Sequence, residues 1–567
     1  MEKLSKLLHQ IDGSGYPNYK RLKGAHPHPC GELLIDHVQG DPFAAPSPMR
    51  LLLPALGSLP TAPAPLAQRA IEDFLGRRLQ QGLQSIKPGQ GSGRSGELRF
   101  MLHDQRIMQR SAVKLQPDGP LEIRFQAGLP ANGRRILGRA AEKLLLETLS
   151  RWITQALTLT AEDHIALQAH IHCLEDQQWL RAWLTEQRAI AFIADGATLP
   201  RASGVDDHPL PQHQATPFVA PDGVAHTLTL PHAGPQRGLL IAEGITLLVG
   251  GGFHGKSTLL SAIAHGVSDH IPGDGRERVV TRSDTQAVQA EDGRAIHALD
   301  LTPFINNLPG GRDASRLSTE NASGSTSQAA SMIEAWGCGT QTLLIDEDSS
   351  ATNLMIRDHR MQRLVSAEQE PITPLELQIE ALHHDYGLSF IMVMGGSSAF
   401  FESAHSVLQM ENYQLKDRTA ACQQIVQQHP LPSRPATQHA LSMTQSDDRR
   451  VRRSALDPTR GRRKRLIKVR EAGVLEYGQQ SIDLRRTATI PSEGETRTIG
   501  HLLASSWSDL SQELITMAQL RQIYHSYERE GMEGLTPDYP QGDLAWPRFE
   551  HLMAAVWRMR QTGSITD

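Results

Sequence analysis

Apolar positions along the chain fall into successive regimes. From residue 1 to about 230, short apolar runs are interspersed with helical periodicity. GELLIDHV (31–38) and MRLLLP (49–54) read as strands across a Pro-rich turn, and ELRFMLHD (97–104) and LEIRFQAG (121–128) alternate or run apolar as strands do. Leu137, Ala141, Leu145, Leu149 and Trp152 recur at three- and four-residue spacing, which predicts a helix. A second helix opens at Thr160, where TAED resembles a capping box, and runs to about Leu184. Residues 1–230 therefore read as a mixed α/β domain ending in a boundary loop rich in Pro, His and Gly, Pro200 to Arg237.

From 238 to 415 the pattern changes. Apolar bursts, GITLLVGG (244–251), QTLLIDED (341–348) and LSFIMVMGG (388–396), alternate with helical stretches such as KSTLLSAIAHGV (256–267). That alternation predicts an α/β core with helices packed on a mostly parallel sheet. Residues 416–470 form a Gln-, Pro- and Arg-rich connector, and 471–567 return to a mainly helical pattern, as in LSQELITMAQLRQIYHSYERE (510–530). No internal repeat is visible.

Composition narrows the class. A length of 567 residues suggests roughly three or four domains. The 39% hydrophobic content supports real cores, and 5% aromatics make those cores aliphatic. No apolar run approaches the ~18–20 residues that span a bilayer, so no membrane association is expected. The opening MEKLSKLLHQIDGSG reads as a short amphipathic helix and not a secretory leader. Four cysteines lie far apart with no CxxC spacing, which fits a reducing compartment. The expectation is a soluble cytoplasmic protein.

The chemistry concentrates between 250 and 350. GGGFHGKST holds G-x-x-x-x-G-K-[ST] at Gly250, Gly255, Lys256 and Ser257, with a strand before it and a helix after it. Glycine N–H groups and the helix N-terminus curl around the phosphates of a nucleotide. The expected binding residues are Gly250, Gly251, Gly252, Phe253, His254, Gly255, Lys256, Ser257 and Thr258. Lys256 reaches the β- and γ-phosphate oxygens, and the Ser257 hydroxyl ligates Mg²⁺. TLLIDED is a Walker B pattern that places Asp346 on the same Mg²⁺ and leaves Glu347 to polarise the attacking water. ATP and Mg²⁺ are the expected ligands.

ASGSTSQAAS (322–331), by composition alone a linker, stands before the Walker B strand and at the start of a helix-compatible stretch. That is where ABC-type ATPases carry a Ser-Gly signature loop. Ser323, Gly324 and Ser325 offer a hydroxyl, bare backbone and a helix dipole to a γ-phosphate on the P-loop of a second copy. The reading implies a head-to-tail homodimer.

VGGGFHGKSTLL, IPGDGRE, ASGSTSQAA and LLIDEDSSATNLMIRD together resemble the stand-alone ATPases of the ABC class. The resemblance extends to DHVQGDPFAAPS and GLPANGRRILGR near the N-terminus. It implies an ABC nucleotide-binding core fused to flanking domains, without a membrane-spanning partner in the same chain. Departures from transporter ATPases stand beside it. Ser325, Thr326 and Ser327 separate Gly324 from Gln328 where LSGGQ is usual, and SATN puts Asn353 where an Asp is common. No switch His follows FIMVMGGSS; Ser397 or Ser398 is the substitute on offer, and slow turnover follows from the difference. Gln286 or Gln289 is the Q-loop candidate.

Other motifs carry weaker chemistry. GSGRSG (91–96) has no preceding strand or following helix, so it is a flexible loop or an Arg-bearing phosphate nest, not a dinucleotide fingerprint. HPHPC (26–30) and HIHC (170–173) lack a fourth ligand for zinc and read as structural. From Arg449 to Arg470 eleven Lys or Arg stand against one acid, Asp457. Arg449, Arg450, Arg452, Arg453, Arg462, Arg463, Lys464 and Arg465 are the candidates for a nucleic-acid footprint, RNA or DNA, against the alternative of a solvated linker. The net charge of −5 confines any such surface to a local patch. The combined reading is a dimeric ABC-class ATPase coupled to a polynucleotide. Its rival is an ATP-gated dimeric scaffold that recruits proteins and turns over incidentally.

Overall fold

The computed structural model describes residues 2–57, 59, 63–87, 89, 91–116, 119–204, 206–306, 308, 313–365, 369–430, 441–443, 449–461, 464–560 and 565–566. The chain divides into two units, Met1–Glu175 with Tyr527–Trp546, and Asp176–Ser526 with Pro547–Asp567. These units are not the segments that composition marks at 230, 415 and 470. The boundary falls inside the long helix Ala161–Glu186, and part of the C-terminal region joins the N-terminal unit.

In the first unit an antiparallel sheet runs Gly24–His28, Gly31–Ile35, Ser47–Leu53, Leu121–Ala127, Leu98–Arg99, with Val113–Leu115 also on Leu121–Ala127. Ser47, Met49, Leu51 and Leu53 alternate inward, the period of a half-buried strand. ELRFMLHD contributes only Leu98–Arg99 to the sheet, because the chain turns to the helix Pro65–Gln84, where the His103 N–H donates to Gln80 Oε1 at 2.8 Å. The expected helix begins at Gly138–Glu142 and passes through a π-helical turn, Lys143–Thr148, into Leu149–Leu157. Thr160 and Asp163 form a reciprocal cap, Asp163 N–H to Thr160 Oγ1 at 3.2 Å and Thr160 N–H to Asp163 Oδ2 at 2.8 Å. From the C-terminal stretch, Ser111 N–H donates to Leu544 O and Trp546 N–H to Gln109 O. GSGRSG is a loop whose amides are consumed internally: Ser92 N–H goes to Ala131 O, Arg94 N–H to Pro42 O and Gly96 N–H to Gly128 O. No row of N–H groups remains there for a phosphate. His26 and His28 are buried and hydrogen-bond the Leu22 and Leu145 carbonyls.

The second unit is built on a six-stranded sheet in the order Thr285–Val288, Thr342–Asp346, Ser389–Met394, Ile245–Val249, Ser406–Glu411, Gln414–Asp417. All neighbours are parallel except the last pair, an antiparallel hairpin. Successive strand residues face opposite layers. Leu247, Leu343, Ile345, Phe390 and Met392 join the helix Gly324–Gly337 through Ala329, Ala330, Met332 and Ile333. Leu248, Leu344, Ile391 and Val393 join the helix Lys256–His265 through Leu259, Leu260 and Ile263. An antiparallel sheet, Ala225–Leu230, Gly234–Ala242, Ala189–Ala194, Val279–Thr281, covers that second face. Both faces are covered, which is why the central strands read as unbroken apolar runs.

Beyond Asp417 come the helix Thr419–Gln428, a meander Ile467–Glu471, Val474–Tyr477, Gln480–Asp483, and the helix Glu493–Asp509, which opens on a capping box between Ser492 and Glu495. Part of the expected connector, 431–440 and 444–448, lies outside the described residues. Arg449 does not. It is 5% exposed, pairs with Glu334 at 2.8 Å, and lies 3.9 Å from the Trp557 ring centre. Glu334 also accepts from Arg294. Burial by itself would raise the Glu334 carboxyl, but the two guanidiniums outweigh it and hold the group below its ordinary range.

Removing Glu334 strands Arg294 and Arg449 in the interior. Glu334→Ala is expected to destabilise the second unit by roughly 3–5 kcal/mol, read from the denaturant midpoint at neutral pH. Because the folded-state carboxyl is depressed, its contribution is fully present above the unfolded value near 4.5 and is lost as pH falls below it. The wild-type advantage over the variant should therefore shrink below about pH 4.5.

Candidate nucleotide site

The P-loop is shaped by two glycines that no other residue replaces. Gly250 has φ 137°, and a Cβ there would lie 2.3 Å from the Met410 carbonyl oxygen on the neighbouring strand. Gly255 has φ 96° and caps the helix Lys256–His265 in a left-handed conformation. Between them Phe253 also has positive φ, 63°, with its ring fully exposed. The His254 ring accepts the Asn412 N–H at Nδ1, 2.7 Å, which ties the loop to the hairpin turn beside it. Lys256 folds back across the loop, donating to Gly250 O at 2.8 Å and Gly251 O at 2.7 Å. Its ammonium therefore stands over the cradle where phosphate oxygens bind.

Asp346 ends its strand, and its Oδ1 accepts the Asp348 N–H at 3.1 Å, with no partner for Oδ2 among the described residues. Ser257 is exposed on the first turn of the P-loop helix. A hydroxyl and a carboxylate oxygen are hard donors of the kind Mg²⁺ takes, so the donor set fits the metal by its chemistry.

Glu347 follows, and its Oε2 accepts two backbone N–H groups, Gly395 at 2.5 Å and Gly396 at 3.1 Å. A Cβ on Gly395 would lie 3.7 Å from that oxygen and 3.8 Å from Lys256 Nζ, so the carboxylate, the ammonium and this turn converge. The two glycines occupy the place expected of a switch His. Ser397 instead caps its own turn, accepting from the Ala399 N–H. Backbone donors were the missed functional groups, and the doubled glycine after MVM was the only signal for them.

The opening of the signature helix Gly324–Gly337 is a cap. Ser323 is exposed, and its Oγ accepts from the Thr326 N–H at 3.4 Å and shares a hydrogen bond with Thr326 Oγ1 at 2.9 Å. Ser325 is buried and Gly324 half-buried, which leaves Ser323 facing outward. Gln328 is fully buried and fixes the loop after the Walker B strand: Nε2 donates to Ser350 Oγ at 3.0 Å and Oε1 accepts from Ala351 N–H at 2.8 Å.

The loop preceding the signature carries the same segment. Glu291 N–H donates to Ser327 Oγ, Gly293 N–H to Ala322 O, and Ala290 N–H to Ser349 O. C-terminal arginines grip it from the other side. Arg486 donates to Asp292 O at 2.8 Å, Arg558 to the Glu291 carboxylate at 2.8 Å, and Arg560 to Gly293 O at 2.7 Å. Gln289 donates to Arg486 O at 2.7 Å, and Gln286 accepts from Thr340. Both Q-loop candidates line a small solvent-open cleft, about 40 Å³, together with Ser331, Arg486, His551 and Arg558.

The basic run separates into parts. Arg449 is buried and is corrected from surface residue to core ion-pair partner, since a polyanion cannot reach it. Arg453 stacks on Trp507, 5.3 Å to the ring centre, and donates to its carbonyl. Arg452 pairs with Glu513 at 3.2 Å. Arg450, Lys464 and Arg465 are exposed and form no ion pair among the described residues, whereas Arg460 and Lys468, also exposed, act on the Glu476 carboxylate, which stands opposite Lys468 on the neighbouring strand. Arg460 and Lys464 pair in a hairpin whose tip residues, Arg462 and Arg463, lie outside the described residues.

This arrangement defines a P-loop ATPase core, and comparison with known proteins places it. Residues 163–447 match the P-loop domain of the ABC ATPases, and residues 1–160 match the N-terminal domain of ATPases of the ABC class. The chain belongs to the ATPases of the ABC class, which bind ATP. Residues 466–564 match the MRB1590 C-terminal domain. An uncharacterised protein of Methanocaldococcus jannaschii is 31% identical over 188 residues, 32% of this chain and 42% of that relative's length. An ATP-binding cassette of an ABC transporter in its ADP conformation aligns over 43% of this chain and 96% of the cassette, with 9% identity and a TM-score of 0.26. No helix among the described residues is long and apolar enough to cross a membrane.

Gly250→Ala tests the cradle without removing a side-chain ligand. The added methyl collides with Met410 O and the backbone needs a left-handed-side φ that alanine resists. ATP affinity by titration calorimetry should fall at least tenfold while the circular dichroism spectrum is unchanged. An unaltered affinity contradicts the role given to this glycine.

Proposed function

We propose that the protein hydrolyses ATP at composite sites of a head-to-tail homodimer and couples turnover to binding of a polynucleotide, RNA in particular. The observation that carries the hydrolytic reading is the Glu347 carboxylate held by the Gly395 and Gly396 amides beside Lys256. A carboxylate fixed in that way accepts a hydrogen bond from water and takes its proton late in the reaction. Lys256 and the amides of residues 250–258 bind the β- and γ-phosphates, and fixed donors cost no reorganisation as charge shifts to the leaving oxygen. Ser257 and Asp346 would hold Mg²⁺, which supplies neutralisation of phosphate charge when bound.

Ser323, exposed, and Gly324, half-buried, stand at a helix N-terminus and would complete the site of the opposite copy. Phe253, wholly exposed on the P-loop itself, gives that copy an apolar contact at the same place. The exposed cations Arg450, Lys464 and Arg465, with Arg460 and Lys468 beside them in sequence, are suited to a phosphate backbone. Few aromatics accompany them, so backbone contact and not base reading is expected. The scaffold reading is favoured by one observation, glycines at the place expected of a switch His. The intact and anchored Glu347 weighs against it.

Steady-state ATP hydrolysis by nuclease-treated protein, with and without single-stranded RNA at low and moderate salt, tests the coupling. Stimulation that fades with salt and is lost in Lys464→Glu/Arg465→Glu is the expected result. Losing two phosphate contacts should flatten the slope of log affinity against log salt by about 1.4. An unchanged hydrolysis rate would count against coupling and favour the scaffold. Under that alternative, Glu347→Gln keeps the cellular effect; under coupled turnover it abolishes it.

A further inference from the structure

We propose that the buried guanidinium of Arg449 holds a small monovalent anion, chloride, on the edge formed by its Nε and Nη2. The site is separate from the nucleotide site and does not depend on how ATP is used. A guanidinium is a planar fork of five N–H donors, and most of this one is accounted for. Nη1 donates to Glu334 Oε1 at 2.8 Å, and the face lies over Trp557, 3.9 Å from the ring centre. Nε and Nη2, which point the same way along one edge, have no acceptor among the described residues, and both atoms are buried. That edge takes an anion elsewhere in the same unit: Arg558 donates to Glu291 Oε2 from Nε at 3.1 Å and from Nη2 at 2.8 Å. Buried donors without an acceptor are rare and point to a bound water or ion.

Charge decides between the two. Arg294 and Arg449, both more than nine-tenths buried, share one carboxylate, Glu334. Arg558 is matched by Glu291. Three guanidiniums therefore stand against two carboxylates, and Arg294 Nε is a further buried donor without an acceptor among the described residues. Glu550 does not restore the balance, since it pairs with Arg548 at 3.4 Å. Nor does Cys338: burial holds its thiol far above the ordinary range, so it stays neutral. An anion offsets the excess charge, and a water does not. Burial of both nitrogens limits the guest to about the size of a single atom, which excludes phosphate and nucleotide. The cleft of about 40 Å³ is lined by Ser331, Glu334, Cys338 and Trp557, so solvent reaches both groups on which Arg449 rests. Glu334 belongs to the signature helix Gly324–Gly337 and Trp557 to the C-terminal helix Phe549–Trp557, so the ion steadies the joint between them.

Denaturant unfolding of the full chain without nucleotide, in potassium chloride and potassium gluconate at one ionic strength, tests the assignment. Once chloride exceeds its dissociation constant, each tenfold rise should raise the folding equilibrium constant about tenfold, read from the midpoint. Arg449→Met leaves two guanidiniums against two carboxylates, and its midpoint should no longer respond to chloride, whatever its basal value. A wild-type crystal grown in bromide should show anomalous scattering beside Arg449 Nε and Nη2, and that position decides alone if Arg449→Met does not fold. Equal wild-type midpoints in the two salts with no bromide at Arg449 would show that water meets this edge. A chloride response that persists in Arg449→Met would place the ion elsewhere. Either result overturns the proposal and leaves the ATPase reading as it stands.

Discussion

Two backbone N–H groups, those of Gly395 and Gly396, set the position of Glu347, and the candidate chemistry depends on that position. A strand end alone leaves a carboxylate free to rotate into solvent. Here the strand Ser389–Met394, wedged between the P-loop strand and the Walker B strand, delivers two amides to one oxygen. Lys256 stands beside the same turn, its Nζ 3.8 Å from where a Cβ on Gly395 would lie. The parallel sheet is thus more than a scaffold for motifs. Its strand order brings a loop, a carboxylate and a turn from three distant parts of the chain to one edge.

The same economy of backbone contacts runs through the signature region. The segment 289–293 is held on one side by Arg486, Arg558 and Arg560, and on the other it holds Ala322, Ser327 and Ser349. Gln328 closes the circuit from within the helix to Ser350 and Ala351. The C-terminal residues are therefore structural partners of the signature loop. Arg486 and Arg560 donate to main-chain carbonyls of that segment, those of Asp292 and Gly293. Those bonds fix the path of the loop and not merely its surface.

The P-loop and the Walker B strand were legible because phosphate chemistry demands particular residues at fixed spacing, and flanking apolar runs supplied the context. The Thr160 cap was legible for the same reason, since Asp163 stands three residues on. What was not legible is carried by backbone or by distant partners. Gly395 and Gly396 act through N–H groups that every residue but proline has, so their sequence reads as a missing histidine. Arg449 stands in a charge run and looks like surface until Glu334 and Trp557, far along the chain, are seen beside it. The division into units escaped composition because the stretch Tyr527–Trp546 leaves its sequence neighbours to join the first unit.

The composite site is the central claim, and the mass of the nucleotide-bound protein tests it most directly. Glu347→Gln should bind ATP without consuming it, so the closed state accumulates. Size-exclusion chromatography with light scattering should then show twice the chain mass with ATP and Mg²⁺, the chain mass without nucleotide, and no doubling when Ser323→Glu puts a charge against the partner's γ-phosphate. A mass that stays at one chain under saturating ATP would contradict the account.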